Sequence, residues 1–130
     1  MKNFLGVCNE MKSTYAIYII DVTKIYPGNS SLNDYWQTYR RFNDFYDLHL
    51  TIKKRFPNLS SFSLPGKSFR NSLSEEFLEK RKIELNRYLQ TLCNPDTLAN
   101  NHTLIDLLNQ FLENKPWDTT QTNFKRRVNN

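Results

Sequence analysis

Three observations predict a small α+β domain. "YAIYIIDV" at 15–22 is a β-branched and aromatic run that reads as a mostly buried strand. "YWQTYRRF" at 35–42, with aromatics at 35, 36, 39 and 42, reads as another. From Asn43 onward the apolar positions take up the spacing of helices. Strands followed by helices make an α+β fold: a three-stranded antiparallel β-meander packed against a helical subdomain of three or more helices. At 130 residues the chain can bury one sizeable core.

Taken in order, residues 4–9 supply a first short strand, separated from 15–22 by "EMKST". "IYPGNSSLND" at 25–34 is turn chemistry, with Pro27-Gly28 and then Asn and Ser. Asn43 is expected to cap the first helix and Asp44 to sit at its positive end. Phe45, Leu48 and Ile52 repeat at i, i+3 and i+7, and the helix ends near Phe56-Pro57. Residues 57–73, "PNLSSFSLPGKSFRNSL", read as a loop that is long and unusually apolar, and long loops in compact domains tend to be functional or disordered. Ser72 with Glu75 fits a capping box for a second helix running through Leu92. A last helix is expected over 101–114, with Leu104, Leu107, Leu108, Phe111 and Leu112 as its apolar stripe. One domain over 1–114 and a polar tail over 115–130 follow from this pattern.

Composition excludes several classes. The longest apolar run is far too short to span a bilayer, and "MKNFLGVCNEM" is too brief for a secretory signal. Cys8 and Cys93 have neither metal-ligand spacing nor a disulfide framework, so a reducing, cytosol-facing location is expected. His49 and His102 stand in no recognisable catalytic pattern, and there is no Gly-rich phosphate cradle. The expectation is therefore no enzyme, no catalytic residue, no metal and no cofactor.

The net charge of +5 is localised. Eleven of the 18 Lys and Arg and six of the 13 Asp and Glu lie between 40 and 87, while the rest of the chain balances at seven of each. Such a window is either a solvated face or the site of an anionic partner. Three cations in it have awkward addresses. Arg81 shares a helical face with Phe77 and Leu85, so it needs a counterpart, either a carboxylate such as Asp44 or Asp47 or a bound phosphate. Arg40 and Arg41 end a strand, where alternation sends one of them inward. Phe42 beside them is a core ring or a flat surface for a ligand. Lys67, on the loop after Leu64-Pro65-Gly66, means little alone.

Three motifs in order, "YRRFNDF" at 39–45, "LPGK" at 64–67 and "FLEKRKIELNRYL" at 77–89, resemble the phox-homology (PX) domain of sorting nexins. The resemblance covers roughly residues 4–114. "TYRRFNDFYDLH" and the terminal "FLENK" look most like the branch that also carries RGS and membrane-anchored segments. It implies that Arg41 binds the 3-phosphate of phosphatidylinositol 3-phosphate and that Phe42 stacks beneath the inositol ring, where the family usually has Tyr. Lys67 would contact the 1-phosphate and Arg81 the 4- and 5-hydroxyls, leaving Arg40 to support the sheet. The segment after the lysine would be a membrane-insertion loop in which Phe69 and Leu73 dip into the interface beside Arg70; the plainer alternative is that Phe69 and Leu73 pack on the second helix. Asn43 replaces the usual Ser, and the loop has fewer prolines than many members.

The function implied is a non-catalytic module that targets the cytoplasmic face of endosomal membranes, with phosphatidylinositol 3-phosphate and an anionic lipid surface as partners. Other domains of a longer protein would be further partners, and within a membrane-anchored protein the address becomes an organelle contact site. The alternative is a protein-interaction domain with only nonspecific binding to anionic surfaces. A sequence pI of ≈ 9.3, 14% aromatics and "KRR" at 125–127 make nucleic acid the rival ligand. It is not expected, because the central cations lie on separate elements rather than along an extended basic track.

Overall fold

The computed structural model describes residues 2–8, 13–59, 64 and 74–115, with side chains from residue 16 onward. Strands β1 (Lys2–Cys8), β2 (Ser13–Lys24) and β3 (Asp34–Arg41) form an antiparallel sheet in the order β1-β2-β3. The register runs from Lys2↔Ile19 to Cys8↔Ser13 on one side of β2, and from Ile17↔Arg41 to Lys24↔Asp34 on the other. Between β2 and β3, Pro27 and Gly28 occupy the middle of a turn closed by the Asn29 N–H donating to the Tyr26 carbonyl at 3.1 Å. Gly28 has φ 83°, the conformation that favours glycine at the third position of a type II turn.

The helices are α1 (Phe42–Arg55), α2 (Glu75–Leu92), α3 (Pro95–Leu98) and α4 (His102–Phe111), with short 3-10 turns at Ser30–Leu32 and Pro57–Leu59. The α+β class with an antiparallel sheet and several helices thus matches the expectation, while the ends of the elements do not. The α1 cap is Arg41 rather than Asn43: its backbone is extended, and its N–H donates to Asp44 Oδ2 at 2.8 Å. Ser72 lies outside the described residues, and α2 is capped by Ser74, whose Oγ accepts from the Phe77 N–H. The last helix stops at Phe111 instead of 114, and α3 was not foreseen; Asn94 caps it and Pro95 opens it.

One core joins the two layers. Tyr18 and Ile20 of β2 pack with Phe45, Leu48 and Ile52 of α1, Leu85, Tyr88, Leu89 and Leu92 of α2, and Leu104, Leu107, Leu108 and Phe111 of α4. Phe45, Leu48 and Ile52, the stripe read from spacing, are fully buried. Burying each such side chain stabilises the fold by about 1.5–3 kcal/mol. Among the described residues no helix is long and apolar enough to cross a membrane.

Candidate functional site

Strand alternation decides the fates of the two adjacent arginines. Tyr18 pairs with Arg40, Ile20 with Thr38 and Val22 with Trp36, so these residues share the inner face of the sheet. Arg40 is 1% exposed. Its Nε donates to the Phe111 carbonyl at 2.9 Å and its Nη2 to the Glu113 carbonyl at 2.9 Å. Nη1 donates to Thr38 Oγ1 at 2.7 Å and to the Tyr39 carbonyl at 2.6 Å. Thr38 Oγ1 also donates to the Glu113 carbonyl and Trp36 Nε1 to the Leu112 carbonyl. Alternate residues of β3 therefore satisfy the carbonyls that the end of α4 leaves open, and the buried positive charge lies at the negative end of that helix. The guanidinium also lies over the Phe111 ring, 5.5 Å from its centroid. Burial works against the charge of Arg40, but a guanidinium stays protonated.

Arg41 is exposed. It ends β3, caps α1 and is followed by Phe42, which is half-buried against the core. From α2, Arg81 brings its guanidinium carbon to 3.8 Å from the Phe42 ring centroid and 4.6 Å from that of Phe77. Carboxylate and phosphate were the counterparts that the sequence suggested for Arg81; the structure adds two aromatic rings, on which a partly desolvated guanidinium is stabilised electrostatically. Burial lowers the Arg81 pKa, an effect countered by Tyr18 and Glu84. The apolar face of α2 is also rotated from the one read from spacing. Leu78, Leu85, Tyr88, Leu89 and Leu92 are buried, whereas Phe77 and Arg81 are half-buried at its border.

Arg41, Phe42 and Arg81 thus sit at one corner, where the end of β3, the start of α1 and the first half of α2 meet. Lys67, Phe69, Arg70 and Leu73 lie outside the described residues; Leu64, just ahead of them in the chain, is partly buried against the core. Two contributors escaped the sequence reading. One is Phe77, the second ring under Arg81. The other is the pair Trp36 and Thr38, which join Arg40 in a β3 series whose i, i+2, i+4 spacing was the available signal. His49, which stands in no catalytic pattern, is half-buried with Nδ1 2.8 Å from the Tyr88 hydroxyl. Burial and the nearby Lys53 lower its pKa.

Known proteins share the sequence pattern and the fold of this chain. The PX domain family model matches residues 28–115. Sorting nexin-13 of Mus musculus is 42% identical over 124 residues, which are 95% of this chain and 13% of that protein. The chain therefore spans about an eighth of that curated relative. Among solved structures, a designed CISK-PX domain is 33% identical with a TM-score of 0.59, covering 87% of this chain and 99% of that one. The mouse SNX19 PX domain, solved with a bound sulphate ion, shares the fold at a TM-score of 0.59 and 18% identity, covering 85% of this chain and 86% of that one.

Proposed function

The chain belongs to the PX domain family of sorting nexins, phosphoinositide-binding modules that target membranes, and from that premise we propose that it recognises phosphatidylinositol 3-phosphate on endosomal membranes. In this reading Arg41 pairs with the 3-phosphate, Phe42 lies beneath the inositol ring, Lys67 meets the 1-phosphate and Arg81 holds the 4- and 5-hydroxyls. The observation that carries it is the convergence of Arg81 on Phe42 at 3.8 Å, next to an exposed Arg41, from elements about 40 residues apart in sequence.

The chemistry suits a phosphorylated ring. A guanidinium matches a phosphate with two parallel hydrogen bonds, which Arg41 would supply to the anion. Arg81, steadied on the two rings, offers N–H donors to hydroxyls without having to be ordered on binding. Phe42 presents a ring face with no hydroxyl of its own, which serves apolar stacking of the inositol. Phe69, Arg70 and Leu73 would add a shallow wedge. Each cation near an anionic leaflet contributes about 1 kcal/mol and each buried methylene about 0.8 kcal/mol, enough for a reversible two-part anchor. No step of this reading calls for catalysis. The 42% identity with mouse sorting nexin-13 favours the branch with RGS and membrane-anchored segments, in which the domain would act at endosomes or organelle contact sites.

Liposome co-sedimentation across the phosphoinositides, with wild type and Arg41→Ala side by side, tests the reading. The expected result is retention on vesicles bearing phosphatidylinositol 3-phosphate that Arg41→Ala abolishes. A wild type that discriminates between no lipids would make the basic window a nonspecific or protein-binding face. A salt titration addresses nucleic acid, whose binding falls steeply over moderate salt.

A further inference from the structure

One buried polar group near this corner is left unsatisfied by the fold. Tyr18 is 1% exposed, with its ring edge-on to Phe45 at a centroid distance of 6.4 Å. Its hydroxyl is buried and meets no hydrogen-bond partner among the described residues. Taking a hydroxyl out of water without a partner opposes folding, and a phenylalanine would fill nearly the same volume without that penalty. Packing therefore accounts for the ring of Tyr18 and not for its oxygen.

The position of the residue suggests what the oxygen is for. Tyr18 faces Arg40 across the sheet, so it lies beside the end of β3 from which Arg41 and Phe42 follow directly. Phe42, on whose ring the Arg81 guanidinium lies, packs against the core cluster that contains Tyr18. An aromatic face, a guanidinium and an unsatisfied hydroxyl are thus contributed to this side of the core by α1, α2 and β2.

We propose that the Tyr18 hydroxyl is a further ligand contact, donating a hydrogen bond to a ring hydroxyl of an inositol phosphate seated against Phe42 and Arg81. The inference rests on the pocket reading above and adds to it a neutral donor from the sheet. It makes Tyr18 a residue that selects for the ring of the ligand rather than for its charge. The unsatisfied hydroxyl of the free protein would gain its partner only when the headgroup is bound.

The test uses the whole chain as wild type, Tyr18→Phe and Arg41→Ala. Calorimetry with inositol 1,3-bisphosphate, sedimentation with phosphatidylcholine vesicles carrying phosphatidylinositol 3-phosphate, competition by inorganic phosphate and thermal melting are the readouts. Tyr18→Phe is expected to weaken the bisphosphate and the vesicles alike by about fivefold, the scale of one neutral hydrogen bond. It should leave inorganic phosphate, which has no ring, unaffected, and should melt at the wild-type temperature or above. If Arg41→Ala abolishes binding while Tyr18→Phe binds as wild type does, this inference fails and the pocket stands. A lowered melting temperature with the loss would make Tyr18 a packing residue, and an equal loss for inorganic phosphate would remove the ring contact. A wild type that binds neither bisphosphate nor vesicles overturns the inference together with the pocket.

Discussion

Arg40 and Arg41 are chemically identical neighbours, yet one is buried and holds the fold while the other is exposed, because a strand turns successive side chains to opposite faces. Arg40→Ala would remove the donor to the Phe111 carbonyl and one of the two to the Glu113 carbonyl, and leave a cavity beside Phe111. Unsatisfied buried acceptors are costly, so a loss of about 3 kcal/mol is expected in denaturant unfolding, with any loss of lipid binding following from unfolding. Arg41→Ala should leave the unfolding midpoint almost unchanged, since the capping contact to Asp44 comes from its backbone N–H. Equal destabilisation by the two substitutions would contradict this division of labour. Alternation shows from sequence that one of the pair faces inward, but the choice depends on carbonyls at 111 and 113, which no local pattern reveals. His49 makes a second residue-scale case. Its folded pKa is depressed from 6.5 by burial and Lys53, so its neutral form contributes stability fully above pH 6.5. That contribution is lost as pH falls through the lower folded value. Wild type should therefore lose more melting temperature between pH 7.5 and 5.5 than His49→Gln, whose carbonyl can still accept from the Tyr88 hydroxyl.

At the scale of elements, the sequence was most legible where a period persists and least where a single residue ends it. Phe45, Leu48 and Ile52 repeat over about two turns, and each repeat reports the same buried face. A cap is decided by one side chain, and "NSLS" offers more than one serine; Ser74 is the one whose oxygen meets the Phe77 N–H. The four-residue α3 is too short to show any period, so only Asn94 and Pro95 signalled it. What meets Arg81 was hidden for a related reason. A helical wheel drawn through Phe77, Arg81 and Leu85 could not show the Phe42 ring arriving from α1 to meet it. The β2–β3 turn was read correctly from Pro27-Gly28, and it yields a clean prediction. A Cβ on Gly28 would meet nothing within 4 Å, so Gly28→Ala tests backbone conformation alone. With φ at 83°, the substitution should destabilise by about 1 kcal/mol in denaturant unfolding, whereas a turn that relaxes to negative φ would show no loss.

At the scale of the molecule, the end of α4 closes the structure by joining the helical layer to the sheet. Leu104, Leu107, Leu108 and Phe111 complete the core, and the next two carbonyls receive Trp36, Thr38 and Arg40. The same strand runs directly into Arg41 and Phe42, so the tie and the candidate pocket share one backbone. This arrangement predicts where the chain can be shortened. A protein ending at Lys115 retains every one of those acceptors and should melt as the full chain does and bind the same vesicles. One ending at Gln110 loses Phe111 and the carbonyls of 111–113, which leaves the donors of β3 buried without partners. Phe→Ala in a core alone costs about 3–5 kcal/mol, and the stranded donors add to that, against a total stability of about 5–15 kcal/mol for a small domain. The shorter protein should thus lack a cooperative thermal transition. If instead it melts cooperatively near the full-length temperature, the sheet does not depend on the end of α4. If the protein ending at Lys115 unfolds, residues beyond 115 belong to the domain, and its proposed limit near 114 is set too early.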